Sequence, residues 1–111
     1  MKSAEIAMRL FPQGTPGHVG VRSAEINGLE AGTEPVNCEI LLKGQMRFSE
    51  ERRELFLVRT PEALVFLRIC RAAPGSGYAE FAVVLETEAI DSPEAKSLEE
   101  YVRSTFPNLC N

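Results

Sequence analysis

Residues 55–59 read Leu-Phe-Leu-Val-Arg and residues 63–69 read Ala-Leu-Val-Phe-Leu-Arg-Ile, with Thr-Pro-Glu between them. Both runs are rich in the aromatic and branched residues that favour β-strands, and the proline between them presets φ for a turn. The stretch therefore predicts a β-hairpin. Because Pro61 excludes the positive φ of a type I′ turn, we expect a longer loop built around a type I turn.

Both faces of this hairpin are apolar. An even-numbered loop places Val58 opposite Val65, and the face that these two share carries Phe56, Val58, Val65, Leu67 and Ile69. The opposite face carries the residues that we expect to bind a partner, namely Leu55, Leu57, Arg59, Leu64, Phe66 and Arg68. Burying one leucine or phenylalanine contributes about 1.5–3 kcal/mol, and a whole domain is stable by only about 5–15 kcal/mol. We therefore expect a second layer to cover this face.

Three kinds of covering layer are open at this point. The first is the chain's own C-terminal helix, since an amphipathic helix buries its apolar stripe on a sheet. The second is another protein or a second copy of this chain, since large exposed apolar patches mark interaction sites. The third is a small apolar ligand held inside a barrel of strands.

Apolar residues alternate with polar ones in further segments, at residues 4–11, 36–43 and 79–87. This period of two predicts half-buried strands with one wet face, as in antiparallel sheets. A weaker strand is expected at residues 19–26, where glycine and serine dilute the pattern. Gly44 is expected to kink or bulge the strand that begins at residue 36.

The apolar period changes to that of a helix near the C-terminus. Ser92 and Pro93 form a helix-start signal, because serine accepts a hydrogen bond from an early N–H group and proline is tolerated at the first helical position. The apolar stripe that follows consists of Leu98, Tyr101, Val102, Thr105 and Phe106. Pro107 is expected to end the helix.

These elements predict a single domain over residues 1–111, with about six strands within residues 4–90 and a C-terminal α-helix over about residues 92–106. The fold class is α+β and mainly antiparallel: a meander, forming a barrel or a strongly twisted sheet, that the helix closes. This architecture resembles pleckstrin-homology-like domains, which implies binding to phosphoinositides or to proteins. Since residues 12–20 contain no lysine or arginine, the resemblance points to the protein-binding members.

The net charge of −4 is distributed unevenly along the chain. Residues 43–71 hold seven basic and four acidic side chains, whereas residues 80–111 hold two basic and seven acidic ones. Such a separation predicts steering of a charged partner, and arginine is favoured at protein interfaces. The absence of a recognition helix or an aromatic RNA-binding motif argues against a nucleic-acid partner. No apolar run approaches the about 20 residues of a membrane span, so no membrane partner is expected.

Enzyme signatures are thin in this sequence. His18, in a glycine-rich turn, is the only histidine, and no nucleophile elbow, zinc-protease motif or phosphate-binding glycine loop occurs. Glu86 and Glu88 share a strand face and could in principle be paired carboxylates, but acidic residues are ordinary on the wet face of a strand. Enzymatic activity stays open, although the sequence favours a non-catalytic role with no cofactor.

The cysteines Cys38, Cys70 and Cys110 form no CxxC pair, so the sequence predicts neither a metal site nor a disulfide framework. Cys38 and Cys70 are expected to be buried as small hydrophobes, and Cys110 is expected to be exposed. Glu5 and Arg9 interrupt the apolar stretch that a secretory signal needs, so we expect a cytoplasmic location.

The leading hypothesis is a non-catalytic protein-interaction module, an adaptor or a small inhibitor. It binds a protein partner through the hairpin face that carries Leu64 and Phe66 and through the nearby arginines. One alternative is a small-ligand-binding or enzymatic β-barrel with a strand-lined pocket, which a stabilising ligand would reveal. The other is a self-associating structural subunit, which sedimentation would reveal.

Overall fold

The computed structural model describes residues 3–19, 23–30, 32–47, 51–71 and 80–110. In this part of the chain two helices flank six strands along the sequence. Their bounds are α1 Ser3–Leu10, β1 Thr15–Val19, β2 Ala24–Leu29, β3 Glu39–Gln45, β4 Arg52–Arg59, β5 Ala63–Arg71, β6 Glu80–Ala89 and α2 Pro93–Leu109. Neither of these helices has the length and apolar character needed to cross a lipid bilayer.

All six strands belong to one antiparallel sheet, in the order β1-β2-β6-β5-β4-β3. The last four strands follow one another as a meander, and the β1–β2 hairpin joins the sheet alongside β6. Because β1 and β3 lie at opposite edges, the sheet is open and has no barrel interior to hold a ligand. The predicted mainly antiparallel α+β fold with a C-terminal helix is confirmed in its open-sheet form.

The predicted hairpin is formed by β4 and β5. Val58 lies opposite Val65 and Phe56 lies opposite Leu67, as an even-numbered loop requires. This register places alternate residues of both strands on opposite faces of the sheet, so each face of the hairpin receives the apolar set that the sequence predicts for it.

A hydrophobic core cluster lies on each face of this hairpin, and each cluster includes a helix of the same chain. One core cluster joins α1 to the first face, and its large members are Ile6, Leu10, Phe11, Ile26, Leu29, Phe56, Val58, Val65, Leu67, Ile69 and Val84. The second joins α2 to the other face: Leu57, Leu64, Ala95 and Val102 are buried, with Leu41, Leu42, Phe66, Leu98 and Phe106 partly buried around them. The expected second layer is therefore present, and the C-terminal helix supplies it.

The strand predicted at residues 4–11 is wrong, because this segment forms α1. Ile6, Ala7 and Leu10 are buried against the sheet with helical spacing, whereas Met8 is exposed. Alternation of the larger apolar residues suggested a strand only because it left out Ala7, which completes the helical stripe. Most residues of the segment are also strong helix formers, so local preference and packing agree.

The single weak strand predicted at residues 19–26 is also wrong. Two strands, β1 and β2, pair with each other here, with Thr15 opposite Asn27 and Val19 opposite Ala24. The chain reverses within the segment, which explains why its alternation is diluted. Residues 20–22 lie outside the described part of the chain.

The third predicted strand is displaced along the sequence. β3 begins at Glu39, and its register shifts between Ile40 and Leu42 rather than at Gly44. A glycine is required at position 44 for a different reason: a Cβ there would lie 2.9 Å from the Cβ of Cys110. Its lack of a side chain lets the end of α2 approach the strand.

The C-terminal helix begins where the sequence predicts and ends later. The Ser92 hydroxyl accepts a hydrogen bond from the backbone N–H of Ala95 at 3.0 Å, and a proline follows the cap. Pro107 does not end the helix, which continues to Leu109. A hydrogen bond from outside the helix stabilises its last turn: the backbone N–H of Arg47 donates to the carbonyl of Leu109 at 2.8 Å.

Candidate functional site

The residues expected to bind a partner fall into a buried and an exposed group. Leu55, Leu57 and Leu64 are at most 2% exposed, and the last two pack directly against α2. A side chain with no accessible surface has nothing to offer a partner while α2 is docked. These leucines therefore belong to the core of the free chain.

The predicted arginines are not free on an open sheet face. Arg59 is exposed, but its Nη1 lies 3.5 Å from the Oε2 of Glu39 and its Nη2 lies 3.7 Å from the Oε1 of Glu99. The second contact links the hairpin to α2. Arg68 is half-buried, and its Nε is buried without a hydrogen-bond partner among the described residues.

Phe66, the remaining predicted residue, lines a surface groove between α2 and β6 that we call the α2–β6 groove. Its volume is about 650 Å³. The other lining residues come from the two walls: Leu85, Glu86 and Glu88 from β6, and Pro93, Glu94, Ser97, Leu98 and Tyr101 from α2. The lining thus combines apolar side chains with carboxylates.

A β-bulge in β6 brings both components to the same side of the sheet. Val84 and Glu86 lie opposite neighbouring residues of β5, so Leu85 is the inserted residue. After the bulge, Glu86 lies opposite Phe66, which is on the sheet face that α2 packs against. Strict alternation would have put Glu86 and Glu88 on the Val84 side, in the core shared with α1. The period of two predicted for residues 79–87 would place Leu85 and Glu86 on opposite faces, and this bulge breaks that period.

The groove carboxylates are not held in ion pairs in the described part of the chain. Glu86, Glu88 and Glu94 form no salt bridge with a described basic side chain. Carboxylates that are not held in ion pairs favour a cationic ligand at a surface groove.

Tyr101 gives the groove an exposed aromatic ring. It is 62% exposed, the highest value among the large hydrophobic side chains described as exposed. Tyrosine supplies a large contact area together with a polar tip, and it is enriched among the residues that dominate binding energy at interfaces. The composition of α2 does not predict this exposure, because the ring lies on the apolar stripe expected from its helical spacing.

A second crevice, of about 480 Å³, lies between α1 and the β4–β5 turn. Arg9 and Glu62 both line it, and the Nη1 of Arg9 lies 2.8 Å from the Oε1 of Glu62. Because these charges neutralise each other, this crevice lacks the unbalanced charge that distinguishes the α2–β6 groove.

A buried ion cluster lies at the end of β5 away from the groove. The Nε of Arg71 is 2.9 Å from the Oε1 of Glu54, and its Nη1 is 3.1 Å from the Oε2 of Glu80. Burial alone lowers the pKa of Arg71, but the hydrogen bonds and charges of the two glutamates raise it above its ordinary value. The cluster ties β4, β5 and β6 together, which indicates a structural role.

The described residues offer no metal site. No group of three or more histidine, cysteine, aspartate or glutamate side chains among them is placed to hold an ion. His18 lies in β1 rather than in a turn, and its side chain is outside what the structure describes.

Cys110, expected at the surface, is buried. It pairs with Met46 in an antiparallel bridge, and its carbonyl accepts a hydrogen bond from the Nε of Arg47 at 2.9 Å. Burial raises the pKa of the Cys38 and Cys110 thiols above the ordinary 9.0, and for Cys110 the charge of Arg47 opposes that rise. Because the thiolate is the reactive form, both cysteines are expected to react slowly.

In mildly alkaline buffer we expect a thiol reagent such as dithionitrobenzoate to label Cys38 slowly in the native chain and Cys110 only after unfolding in urea. The sign of the pH dependence follows from the raised values. Above the ordinary value of 9.0 the unfolded chain loses its thiol protons first, so stability falls as pH rises through that range. Labelling rates measured with and without urea check the expected order of reaction, and rapid labelling of Cys110 in the native chain would contradict it.

Comparison of the chain with protein-family models, with curated proteins and with solved structures finds no match. The architectural resemblance to pleckstrin-homology-like domains gains no support from them. Function therefore has to be argued from the geometry of the groove.

Proposed function

We propose that this chain is a non-catalytic protein-interaction module, an adaptor or a small inhibitor, and that it binds a basic, apolar segment of another protein in the α2–β6 groove. The supporting observation is the lining of that groove. Apolar side chains stand beside Glu86, Glu88 and Glu94, and these carboxylates form no salt bridge within the described residues.

The apolar part of the lining supplies affinity. Phe66, Leu85 and Leu98 are half-buried in the free chain, and Tyr101 is exposed. Covering them removes further apolar surface from water, which contributes about 25 cal/mol for each Å². Aromatic side chains at the centre of a contact tend to carry much of its binding energy.

The carboxylates supply selectivity. A basic segment gains attraction to Glu86, Glu88 and Glu94, whereas an acidic segment is repelled. Each exposed ion pair contributes about 0.2–1 kcal/mol, so three pairs change the dissociation constant by about tenfold. The acidic excess of residues 80–111 adds a field of the same sign.

The proposed surface differs from the one that the sequence favoured. The hairpin leucines are core residues and Arg59 is paired within the chain, so neither supplies a free basic and apolar face. The groove borders that face and keeps Phe66 in common with it. The expected partner therefore carries positive rather than negative charge.

Replacing the groove carboxylates tests the proposal. The probe is a fluorescein-labelled synthetic peptide of leucine and lysine, and its binding is measured by fluorescence anisotropy. The variant carries Glu86→Gln, Glu88→Gln and Glu94→Gln. We expect its dissociation constant for the peptide to rise by about tenfold, since three ion pairs are lost while the apolar lining stays.

A matched variant controls for overall charge. Glu5, Glu30 and Glu51 are exposed and do not line the groove, so Glu5→Gln, Glu30→Gln and Glu51→Gln together remove the same charge elsewhere. We expect this control to bind the peptide within about twofold of the unmodified chain, because distant exposed charges are screened. Equal weakening by both variants, or no binding of the peptide to the unmodified chain, would show the proposal to be wrong.

A further inference from the structure

We infer that the bound segment is an amphipathic α-helix lying alongside α2, with its apolar face in the groove and its basic residues towards the carboxylates. This inference rests on the proposed function of the α2–β6 groove and adds the conformation and the source of the occupant.

One wall of the groove is a surface suited to helix packing. Pro93, Ser97 and Tyr101 follow one another at intervals of four residues, with Glu94 and Leu98 in the adjacent row. The wall therefore extends over two turns of α2, about 12 Å. Rows at this interval are the ridges against which a second helix packs, at an interaxial distance of about 8–10 Å. The short side chain of Ser97 leaves room for such an approach.

The sheet continues the apolar side chains of this face along β6. Phe81 and Val83 lie opposite Cys70 and Arg68, on the face that α2 covers in part, and both are half-buried like Leu85. The part of β6 that lines the groove, from residue 85 to residue 88, is about 10 Å long at the rise of a β-strand, close to the length of the α2 wall. A helix of about 10 Å diameter lying in the groove can therefore contact both walls at once.

Addition of a partner strand to the sheet is disfavoured at both edges. β1 contains Pro16, which lacks an N–H group, and its register shifts between Pro16 and Val19. At the other edge, β3 shifts register between Ile40 and Leu42. Met46, which follows the last residue of β3, already pairs with the C-terminal segment. Prolines and bulges at sheet edges prevent the pairing of further strands. Of the common modes of peptide recognition, helix-in-groove binding is therefore favoured.

A second copy of the chain does not fit the groove in charge. α2 carries Glu94, Glu99 and Glu100 against Lys96 and Arg103, so a second α2 would bring more negative charge to the carboxylates. The apolar side of α1 is buried against the sheet. Neither helix of the described chain is a free basic amphipathic helix, so the occupant comes from another protein.

Two peptides of identical leucine and lysine composition test the conformation. In one, the leucines recur at helical spacing; in the other, leucine and lysine alternate as in a strand. We expect the first to bind at least about tenfold more tightly in fluorescence anisotropy. We also expect the helical circular dichroism signal of its complex to be larger than the sum of the signals of the free peptide and the free chain. Both effects should weaken in the variant with Glu86→Gln, Glu88→Gln and Glu94→Gln.

Failures of the inference and of the proposed function are distinguishable. Equal or tighter groove-dependent binding of the alternating peptide, or a complex without added helical signal, would overturn the helix and leave the proposed function standing. Insensitivity of both peptides to the glutamine variant would refute the proposed function itself. A dimer in sedimentation that Tyr101→Glu dissociates would place a second copy in the groove and overturn the inference.

Discussion

Replacing Arg71 with methionine is expected to lower the free energy of unfolding by about 3–5 kcal/mol. The guanidinium contacts Glu54 at 2.9 Å and Glu80 at 3.1 Å, and the three side chains are only 8%, 18% and 9% exposed. Removing the shared cation leaves two carboxylates in a dry setting without a counter-charge. Since these groups link β4, β5 and β6, the loss should affect the whole sheet. Urea unfolding followed by circular dichroism measures it.

The same substitution at Arg53 is the matched control. Arg53 lies on β4 in the same sheet, and its Nη2 is 3.0 Å from the Oε2 of Glu51. These side chains are 35% and 63% exposed, so water replaces the interaction when it is lost. Arg53→Met should cost only about 0.2–1 kcal/mol. Equal losses at the two positions would contradict the structural role of the buried cluster.

Replacing Leu57 with alanine is expected to lower the free energy of unfolding by about 2–5 kcal/mol. This side chain is fully buried between the sheet and α2, so its removal leaves a cavity that the surrounding layers cannot fill. Leu64→Ala should behave alike. Leu109→Ala on α2 is the control, because that leucine is 37% exposed and should lose no more than about 0.5 kcal/mol.

The outcome for Leu57→Ala distinguishes two hypotheses for the hairpin leucines: that they belong to the core, or that they contact a partner. Loss of stability, measured by urea unfolding, supports a face covered by the chain's own helix. Unchanged stability with loss of peptide binding would instead mean that α2 leaves this face in solution and that the hairpin leucines contact a partner.

The hairpin and the C-terminal helix could be predicted because their signals are local. Two apolar runs around Pro61 define the strands, and Ser92 begins the helix by capping its first turn. The alternation of the large apolar residues does not predict the helix at residues 3–10, because the small Ala7 completes its buried stripe. Alternation alone does not predict the pairing of β1 with β2, because Val19 and Ala24, which lie opposite each other, both belong to the segment 19–26 that has the pattern of one strand.

The candidate site could be predicted only in part. The sequence shows the acidic excess of residues 80–111, and it identifies Phe66 as a surface-facing candidate. It does not show that Leu85 is an inserted residue, because a bulge is fixed by the pairing of β6 with β5 rather than by local preference. If the bulge is not known, the pattern of Glu86 and Glu88 is typical of an ordinary solvated strand face. A search for strand segments in which two periodic patterns are out of phase could have suggested it.

The assignment of binding to the α2–β6 groove is tested most directly by mapping, residue by residue, where the leucine–lysine peptide of helical spacing contacts the ¹⁵N-labelled chain in solution. When the peptide is titrated in, the amide signals of residues 85–88 and 94–101 should shift most strongly. The dissociation constant from these shifts should agree with the one from fluorescence anisotropy. Largest shifts along Thr15–Val19 or Glu39–Gln45, the edges of the sheet, would contradict it.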